Sequence, residues 1–347
     1  MITTHQFINT NANDLYMIPD KSVHLIVTSP PYPMVEMWDE MFRIQNSLVS
    51  HFFETKEYNK AFVEMHKTLD DIWKECDRVL INGGFACINI GDATRTFDDK
   101  FQLFSNHTHI INTFLQMGYS VLPDIHWRKQ TNAPNKFMGS GMYPAGAYVT
   151  YEHEYILIFR KGGKRQFSNE EKIIRQQSAY FWEERNEWFS DLWDVKGIRQ
   201  TIKASSDRNR NASYPFEIPY RLINMYSIYG DTVLDPFAGL GTTILSAIAT
   251  GRNSIGIEIS EDITNIARNR MFDNNIMCQI NNTIDTRLNK HKDFITFLPE
   301  DKKEKCYKNI NHNFLVKTKQ ETKIKLYNIA NIEKQNENIK CILTKKD

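Results

Sequence analysis

Short apolar runs alternate with longer amphipathic runs along most of this chain, and this alternation constrains its fold more than any other feature. Residues 22–28 (SVHLIVT) predict a buried strand that ends at two prolines. Residues 54–80 contain no Pro or Gly and carry apolar side chains at helical spacing, which predicts one long helix that stops at the Asn-Gly-Gly sequence of residues 82–84. Alternating strands and helices predict a largely parallel sheet.

The same rhythm continues and returns near the C-terminal third. Further predicted elements are strands at 85–90, 124–127, 155–159, 232–235 and 254–259, and helices at 107–118 and 244–250. After about residue 275 the chain is rich in Asn and Lys, but aromatic residues still recur. A disordered tail would be poorer in such residues, so we expect a partly ordered extension that ends in short strands at 324–329 and 339–344.

The alternation is interrupted at about residues 130–211. Residues 160–210 carry twelve basic and eight acidic side chains, whereas residues 36–77 carry five basic and ten acidic ones, although the whole chain has 43 Lys and Arg against 42 Asp and Glu. Aromatic residues are concentrated in the sequence AYFWEERNEWFSDLW. Basic and aromatic side chains together favour an inserted recognition region that faces phosphates. The alternative is an irregular packing segment.

Several classes of protein are disfavoured by what the chain lacks. Its first residues have neither the basic nor the apolar part of a signal peptide, and no apolar run is long enough to span a membrane, so we expect a cytoplasmic protein without membrane contact. The five cysteines show no Cys-x-x-Cys or Cys/His pattern, which predicts neither a disulfide framework nor a metal site. For His107 and His109 a solvated or core role is favoured over metal binding.

The sequence Thr28-Ser29-Pro30-Pro31-Tyr32 follows the first predicted strand. An exocyclic amine of a nucleobase is a poor nucleophile, because its lone pair is delocalised into the ring. Two acceptors aimed at its N–H groups can draw the lone pair back, and the Ser29 hydroxyl and the Pro30 carbonyl are the candidates. Tyr32 offers a flat face on which an extruded base can stack. The alternative is a simple rigid turn.

A glycine-containing loop, Asp235-Pro236-Phe237-Ala238-Gly239-Leu240-Gly241-Thr242-Thr243, follows another predicted strand. Its glycines let backbone approach a ligand, and its hydroxyls can cap the next helix. Ile244 stands where a dinucleotide fingerprint needs a third glycine, which disfavours pyrophosphate. Glu258 ends the next strand and is placed to accept both hydroxyls of a ribose. Together these features predict a pocket for S-adenosyl-L-methionine (AdoMet).

These two motifs resemble those of the β class of DNA amino-methyltransferases, a family with restriction-modification members, and they occur in that family's order. Four further stretches carry the resemblance, so that it covers roughly residues 10–270: RVLINGGFACINIGD (78–92), GYSVLPDIHWRKQTNAP (118–134), EHEYILIFRKG (152–162) and ASYPFEIPYRLI (212–223). The resemblance implies an α/β, Rossmann-like mixed sheet flanked by helices. It also implies a circular permutation, in which the catalytic motif precedes the AdoMet motif, and an inserted target-recognition region.

The resemblance also implies roles for residues and partners. It divides the chain into a catalytic half (1–130), the end of the sheet with the recognition region (131–210), an AdoMet half (211–275) and a C-terminal extension (276–347). The implied catalytic residues are Ser29, Pro30, Pro31 and Tyr32. The implied AdoMet contacts are Asn11, Pro215, Phe216, Asp235, Phe237, Gly239, Gly241, Thr242 and Glu258. Asn11 stands where related chains often carry an aspartate, and Asp14 is a possible substitute.

The resemblance names double-stranded DNA as the substrate, and it allows a cognate restriction endonuclease and a homodimer. In this family Ser-Pro-Pro-Tyr mostly accompanies cytosine-N4 activity, which favours cytosine over adenine N6. Methylation of cytosine carbon 5 needs a cysteine that generally follows a proline, and none of the five cysteines does. The remaining alternatives are an RNA or protein-glutamine methyltransferase and a non-catalytic DNA-binding protein.

Overall fold

The computed structural model describes residues 1–129, 138–139, 143–149, 151–197 and 214–346. Its strands are β1 (Ile2–Asn9), β2 (Val23–Thr28), β3 (Leu80–Ile90), β4 (Ala93–Phe97), β5 (Lys100–Phe104), β6 (Ser120–Arg128), β7 (Met138–Gly139), β8 (Ala147–Tyr148), β9 (His153–Arg160), β10 (Leu192–Asp194), β11 (Thr232–Asp235), β12 (Asn253–Glu258), β13 (Tyr307–Lys308), β14 (Leu315–Val316), β15 (Tyr327–Gln335) and β16 (Asn338–Lys345).

The described residues also form eleven α-helices. They are α1 (Asp39–Gln45), α2 (Ser47–Glu54), α3 (Tyr58–Val79), α4 (Asn106–Gln116), α5 (Asn169–Gln177), α6 (Trp182–Trp188), α7 (Glu217–Tyr226), α8 (Thr242–Ala249), α9 (Glu261–Arg270), α10 (Asn274–Thr296) and α11 (Glu300–Lys303), with short 3-10 turns at Glu36–Trp38 and Lys319–Glu321. None of these helices is long and apolar enough to cross a membrane.

One mixed sheet of ten strands organises the described chain, in the order β10-β6-β9-β3-β2-β11-β12-β1-β16-β15. The five central strands from β3 to β1 run parallel. Strand β9 runs antiparallel to β3 and β6, and β16 runs antiparallel to β1 and β15. The predicted α/β class, with a mixed sheet flanked by helices, is therefore confirmed.

Both faces of the sheet are buried, because alternate side chains of a strand point to opposite faces. In β2, Ile26 packs in a cluster with Trp73 of α3, whereas Leu25 and Val27 pack in another cluster with Leu222 of α7. All five side chains are at most 1% exposed. This three-layer arrangement explains why the central strands are apolar on both faces.

Two predicted boundaries are wrong, and a residue with left-handed backbone lies near each of them. The predicted helix at 54–80 is divided, since α2 ends at Glu54 and α3 begins at Tyr58; between them Lys56 has a φ of 60°, which a continuing helix does not tolerate. The Asn-Gly-Gly sequence does not end the helix but lies inside β3. There Gly83 has a φ of 80°, and a Cβ on it would lie 2.5 Å from the backbone nitrogen of Arg165.

The two ends of the chain meet in the sheet. Strand β1, which the sequence analysis did not predict, lies between β12 and β16. The predicted strand at 339–344 is confirmed as β16, whereas the one at 324–329 is confirmed only from residue 327, where β15 begins. The two strands extend the central sheet as the β15–β16 hairpin. The Met1 ammonium donates to the Leu343 carbonyl at 2.8 Å. The extension is therefore part of the core sheet rather than an appendage.

Much of the predicted recognition region packs into the interior where it is described. Residues 169–188 form α5 and α6, and β10 adds an edge strand beside β6. Glu184 of α6 accepts two hydrogen bonds, at 2.6 and 2.8 Å, from Arg287 of α10. Three of the aromatic side chains that were expected to form a recognition surface are buried: Phe181, Trp188 and Trp193. Residues 130–137, 140–142, 150 and 198–211 of this region lie outside the described residues.

Candidate active site

Four neighbouring parallel strands, β2, β11, β12 and β1, end at the same edge of the sheet, called here the carboxyl edge. Ser29 to Tyr32 directly follow β2, and the glycine loop follows β11. Glu258 is the last residue of β12, and Asn11 lies two residues beyond β1. The predicted catalytic and cofactor motifs therefore meet at one edge, where open α/β sheets bind their ligands.

Asp235 joins the two motifs. Its Oδ1 accepts hydrogen bonds from the Thr28 hydroxyl at 2.6 Å and from the Phe237 amide at 3.0 Å. Its Oδ2 accepts from the Thr243 hydroxyl, which also contacts the Tyr214 hydroxyl. Asp235 is 2% exposed, and burial raises the pKa of its carboxyl group. With both oxygens occupied by protein donors, this carboxylate ties the end of β2 to the glycine loop.

The carboxylate of Glu258 is anchored by backbone amides. Its Oε2 accepts from the Gly239 amide at 3.1 Å and its Oε1 from the Ser260 amide at 2.9 Å. Gly239 has a φ of 49°, and in the part of the chain that the structure describes no atom beyond its own and the two adjacent residues lies within 4 Å of the position that its Cβ would take. The half-buried Glu258 therefore lies beside open space, as a ligand-binding acid must.

The second glycine of the loop has a different role. Gly241 has a φ of 77°, and a Cβ on it would lie 2.6 Å from the Phe7 ring of β1. It precedes α8 directly, and the buried Thr242 is the first residue of that helix. Gly241 is therefore required for packing of the loop against β1, which spacing alone could not distinguish from ligand contact.

The remaining predicted cofactor residues flank this loop. The Thr10 amide donates to the Glu258 carbonyl at 3.2 Å, which brings the turn containing Asn11 and Asp14 beside the end of β12. The Asn11 side chain accepts from the Asn13 amide at 3.1 Å within that turn. On the other side, Pro215 and Phe216 directly precede α7, and the Phe216 carbonyl accepts from Ser246 of α8 at 3.3 Å.

Around the catalytic motif, hydroxyl groups are linked to a buried carboxylate. Ser29 Oγ lies 2.9 Å from Tyr32 Oη, and Tyr32 Oη donates to Glu154 Oε2 at 2.9 Å. Pro30 and Pro31 are buried beside them. Burial and the neighbouring Glu154 carboxylate raise the pKa of the Tyr32 hydroxyl far above its ordinary value. Tyr32 therefore keeps its proton at any ordinary pH.

Sequence reasoning assigned no role to Glu154 or Asn89, which complete this cluster. Both belong to stretches that carried the family resemblance, and an acid directly before the apolar run YILIF was the available signal for Glu154. Its position at the carboxyl edge follows from the antiparallel direction of β9, which the sequence does not reveal. Among the described residues, no group of His, Cys, Asp and Glu is arranged to hold a metal ion.

Comparison with known proteins decides the family. Residues 23–269 match the family model described as DNA methylase. The chain belongs to the DNA methylase family. This methylase is 50% identical to the type II methyltransferase M.MthZI of Methanothermobacter thermautotrophicus over 94% of its own length and 91% of that protein. It is 48% identical to the type II methyltransferase M.MjaI of Methanocaldococcus jannaschii over 78% of its length and 91% of that protein.

Solved structures give the same family and fold. The structure of TTHA0409 from Thermus thermophilus in complex with AdoMet is 30% identical and has a TM-score of 0.58, covering 77% of the methylase and 93% of that chain. The PvuII DNA methyltransferase, which is cytosine-N4-specific, is 17% identical with a TM-score of 0.50, covering 83% and 93% of the two chains. At that identity the likeness concerns the fold alone.

Proposed function

We propose that this chain is a site-specific DNA methyltransferase that transfers a methyl group from AdoMet to the N4 amino group of a cytosine flipped out of duplex DNA. The observation that carries the proposal is the Thr28–Asp235 hydrogen bond, which joins the residue before Ser-Pro-Pro-Tyr to the glycine loop at one edge. A group that acts on an amine and a loop that holds a methyl donor must be neighbours. The type II relatives support the same reaction class.

The carboxyl edge fits AdoMet. Glu258 has an anchored carboxylate beside the open space at Gly239, and it would accept the two ribose hydroxyls. The turn at Asn11 would line the adenine end, and Phe216 with Phe237 would border the methionine end. Asp235 would act by positioning the loop, because its oxygens are already occupied. When bound, AdoMet supplies an electrophilic methyl group on a sulfonium centre.

The catalytic motif performs the remaining tasks. Ser29 Oγ and the Pro30 carbonyl would accept hydrogen bonds from the two N–H groups of the target amine and so raise the electron density on its nitrogen. The fixed proline backbone keeps this carbonyl in place. The Tyr32 ring, held through its hydroxyl by the cluster around Glu154, would stack on the extruded base. A neutral serine acceptor in place of a carboxylate is what favours cytosine over adenine.

The recognition of DNA is proposed to lie in residues 131–210, as an insertion between the catalytic half (1–130) and the AdoMet half (211–275) of a circularly permuted enzyme. The directions of three strands support this. Strand β6 ends and β9 begins at the carboxyl edge, and β10, parallel to β6, ends there as well. The region therefore begins beside the catalytic motif, because Lys129, which follows β6, is paired with Glu154, and Glu154 accepts a hydrogen bond from Tyr32.

The test is nucleoside mass spectrometry of duplex DNA incubated with the enzyme and isotope-labelled AdoMet, with modification-sensitive sequencing of the product. We expect labelled N4-methylcytosine at one sequence. Labelled N6-methyladenine would overturn the choice of base, and label in RNA or protein glutamine would overturn the choice of substrate. No AdoMet binding in a calorimetric titration would support a non-catalytic DNA-binding protein.

A variant pair tests the role of the catalytic motif. Ser29→Ala should lower methyl transfer by about 100-fold, as loss of a preorganised hydrogen-bonding group does in other enzymes, while AdoMet affinity changes little. The matched control is Ser22→Ala near the opposite end of β2, where the hydroxyl contacts only the Pro19 carbonyl among the described residues. An equal loss of AdoMet affinity and rate in Ser29→Ala would contradict the assignment.

A further inference from the structure

Glu154 lies next to the catalytic motif with no role in the reaction described so far. It is the second residue of β9, and its side chain is buried with the residue 8% exposed. The catalytic tyrosine packs directly beside it: a Cβ on Gly91 would lie 3.1 Å from the Tyr32 ring and 3.2 Å from Glu154 Cγ. A buried acid at this position is costly unless its oxygens are hydrogen-bonded or paired with a cation.

The partners of Glu154 satisfy that requirement. Its Oε2 accepts from Tyr32 Oη at 2.9 Å and from Asn89 Nδ2 at 2.7 Å. Its Oε1 is paired with the Lys129 ammonium. The Lys129 ammonium also lies 4.8 Å from the centre of the Trp127 ring, which fixes its position further. The carboxylate is thus surrounded by donors on both oxygens.

The direction of the hydrogen bonds follows from counting protons. Tyr32 has one hydroxyl proton, and a carboxylate can only accept, so this proton is donated to Glu154. Ser29 must then be the donor in the 2.9 Å hydrogen bond between Ser29 Oγ and Tyr32 Oη. Asn89 Nδ2 donates to Tyr32 Oη at 2.8 Å and lies 3.4 Å from Ser29 Oγ, so the tyrosine oxygen accepts on both lone pairs.

We propose that Glu154 is a positioning residue that sets the direction of the hydroxyl chain from Ser29 through Tyr32, so that Ser29 Oγ directs a lone pair rather than its proton towards the target amine. The inference rests on the proposed function. In the opposite direction Tyr32 would donate to Ser29, and the serine would turn its own proton towards the amine nitrogen. That proton would compete for the lone pair that must attack the methyl group.

The decisive variant is Glu154→Gln. Lys129 needs an acceptor, so the glutamine oxygen turns to Lys129 and the glutamine amide turns to Tyr32, which reverses the chain. We expect methyl transfer at saturating DNA to fall by about 10- to 100-fold, with little change in the KM for DNA or in AdoMet affinity. Glu337→Gln, the same chemical change at an exposed turn, should retain the wild-type rate.

A second substitution separates direction from mere packing. In Glu154→Gln/Lys129→Met the glutamine oxygen is free to face Tyr32 and Asn89 again, which restores the original direction. We expect the double variant to be faster than Glu154→Gln alone. If the Glu154–Lys129 ion pair were purely structural, the double variant would be slower than Glu154→Gln or equal to it. That result would overturn the inference, as would a wild-type rate in Glu154→Gln.

Tyr32→Phe provides a measurement that needs no stable Glu154 variant. It keeps the stacking ring but removes the link between Ser29 and Glu154, so the serine proton loses its acceptor. We expect kcat to fall by about 10-fold or more with an unchanged KM for DNA. A wild-type kcat would overturn the inference. Failure of the wild-type enzyme to methylate any base amine would instead overturn the proposed function, so the two failures are distinguishable.

Discussion

The carboxylates of Asp235 and Glu258 end neighbouring strands, yet different donors hold them. Asp235 is buried and accepts from two hydroxyls, Thr28 and Thr243, as well as one amide. Glu258 accepts from two backbone amides and stays half-buried. A hydroxyl can change from donor to acceptor by rotating, whereas a backbone N–H cannot. Asp235 therefore serves the fold and tolerates rearrangement of its hydrogen bonds, while the carboxylate of Glu258 has a fixed geometry suited to a ligand.

The largest expected effect is the loss of the Asp235 junction. Asp235→Ala leaves the Thr28 and Thr243 hydroxyls and the Phe237 amide without their acceptor in the interior. Because each buried unsatisfied group costs about 1 to 3 kcal/mol, the free energy of unfolding should fall by about 3 kcal/mol or more. Chemical denaturation followed by circular dichroism measures it. A loss below about 1 kcal/mol would show that the junction does not hold the two motifs together.

An intermediate effect is expected for His5 of β1, whose ring nitrogens also face hydroxyls: Thr3 at 2.9 Å and Ser254 at 2.7 Å. Burial lowers the pKa of His5 to about 3. The unfolded chain therefore takes up a proton near pH 6.5 before the folded chain does, and the contribution of His5 to stability is complete above that pH and declines as the pH falls towards 3.

The measurement compares unfolding free energies at pH 7.5 and 5.0 in the wild type and in His5→Gln. The free energy of unfolding should fall by about 2 kcal/mol more in the wild type than in the variant over this range, since one proton taken up only by the unfolded chain contributes about 1.4 kcal/mol per pH unit below its pKa. His66, which burial also leaves with a pKa of about 3, is common to both chains and cancels. Identical pH dependence in the two chains would mean that His5 is accessible to protons in the folded state.

The smallest expected effect, a change in AdoMet affinity, distinguishes the two carboxylates most directly. Glu258→Gln must aim its amide at the N–H of either Gly239 or Ser260, so we expect AdoMet affinity to fall by about tenfold. Asp235→Asn is the matched control. It can aim its amide at the Thr243 hydroxyl, which rotates to accept, so affinity should change by less than about threefold. Calorimetric titration of both variants decides, and equal losses would remove the distinction between the two carboxylates.

The sequence predicted four of the five central strands, β2, β3, β11 and β12, because apolar runs bounded by Pro and Gly are local signals. The predicted strand at 232–235 and the loops that follow β2 and β11 lie where expected. The family resemblance, rather than spacing, named the cofactor residues, and the spacing of the glycines could not show that Gly241 serves packing against Phe7. What the chain does at a loop depends on neighbours that are distant in sequence.

The features that the sequence did not predict depend on strand direction and on long-range pairing. The position of Glu154 follows from the antiparallel β9. Strand β1 has weak local alternation, and its place in the sheet follows from its partners β12 and β16. The charged and aromatic stretch around α6 was expected to face DNA, yet Glu184 is neutralised by Arg287 in the interior. Composition cannot distinguish an exposed charge from one that has a buried partner.

The location of β1 determines when the sheet can form during synthesis on the ribosome. His5 contacts Ser254, which is 249 residues further along the chain, and Met1 contacts Leu343 across 342 residues. A ribosome that adds about 5 to 20 residues per second needs on the order of ten seconds or more to deliver β12 after β1. During that time the emerging β1 has no strand to pair with, and the carboxyl edge is incomplete. A newly made molecule therefore cannot complete the carboxyl edge until residues 253–258 have left the ribosome.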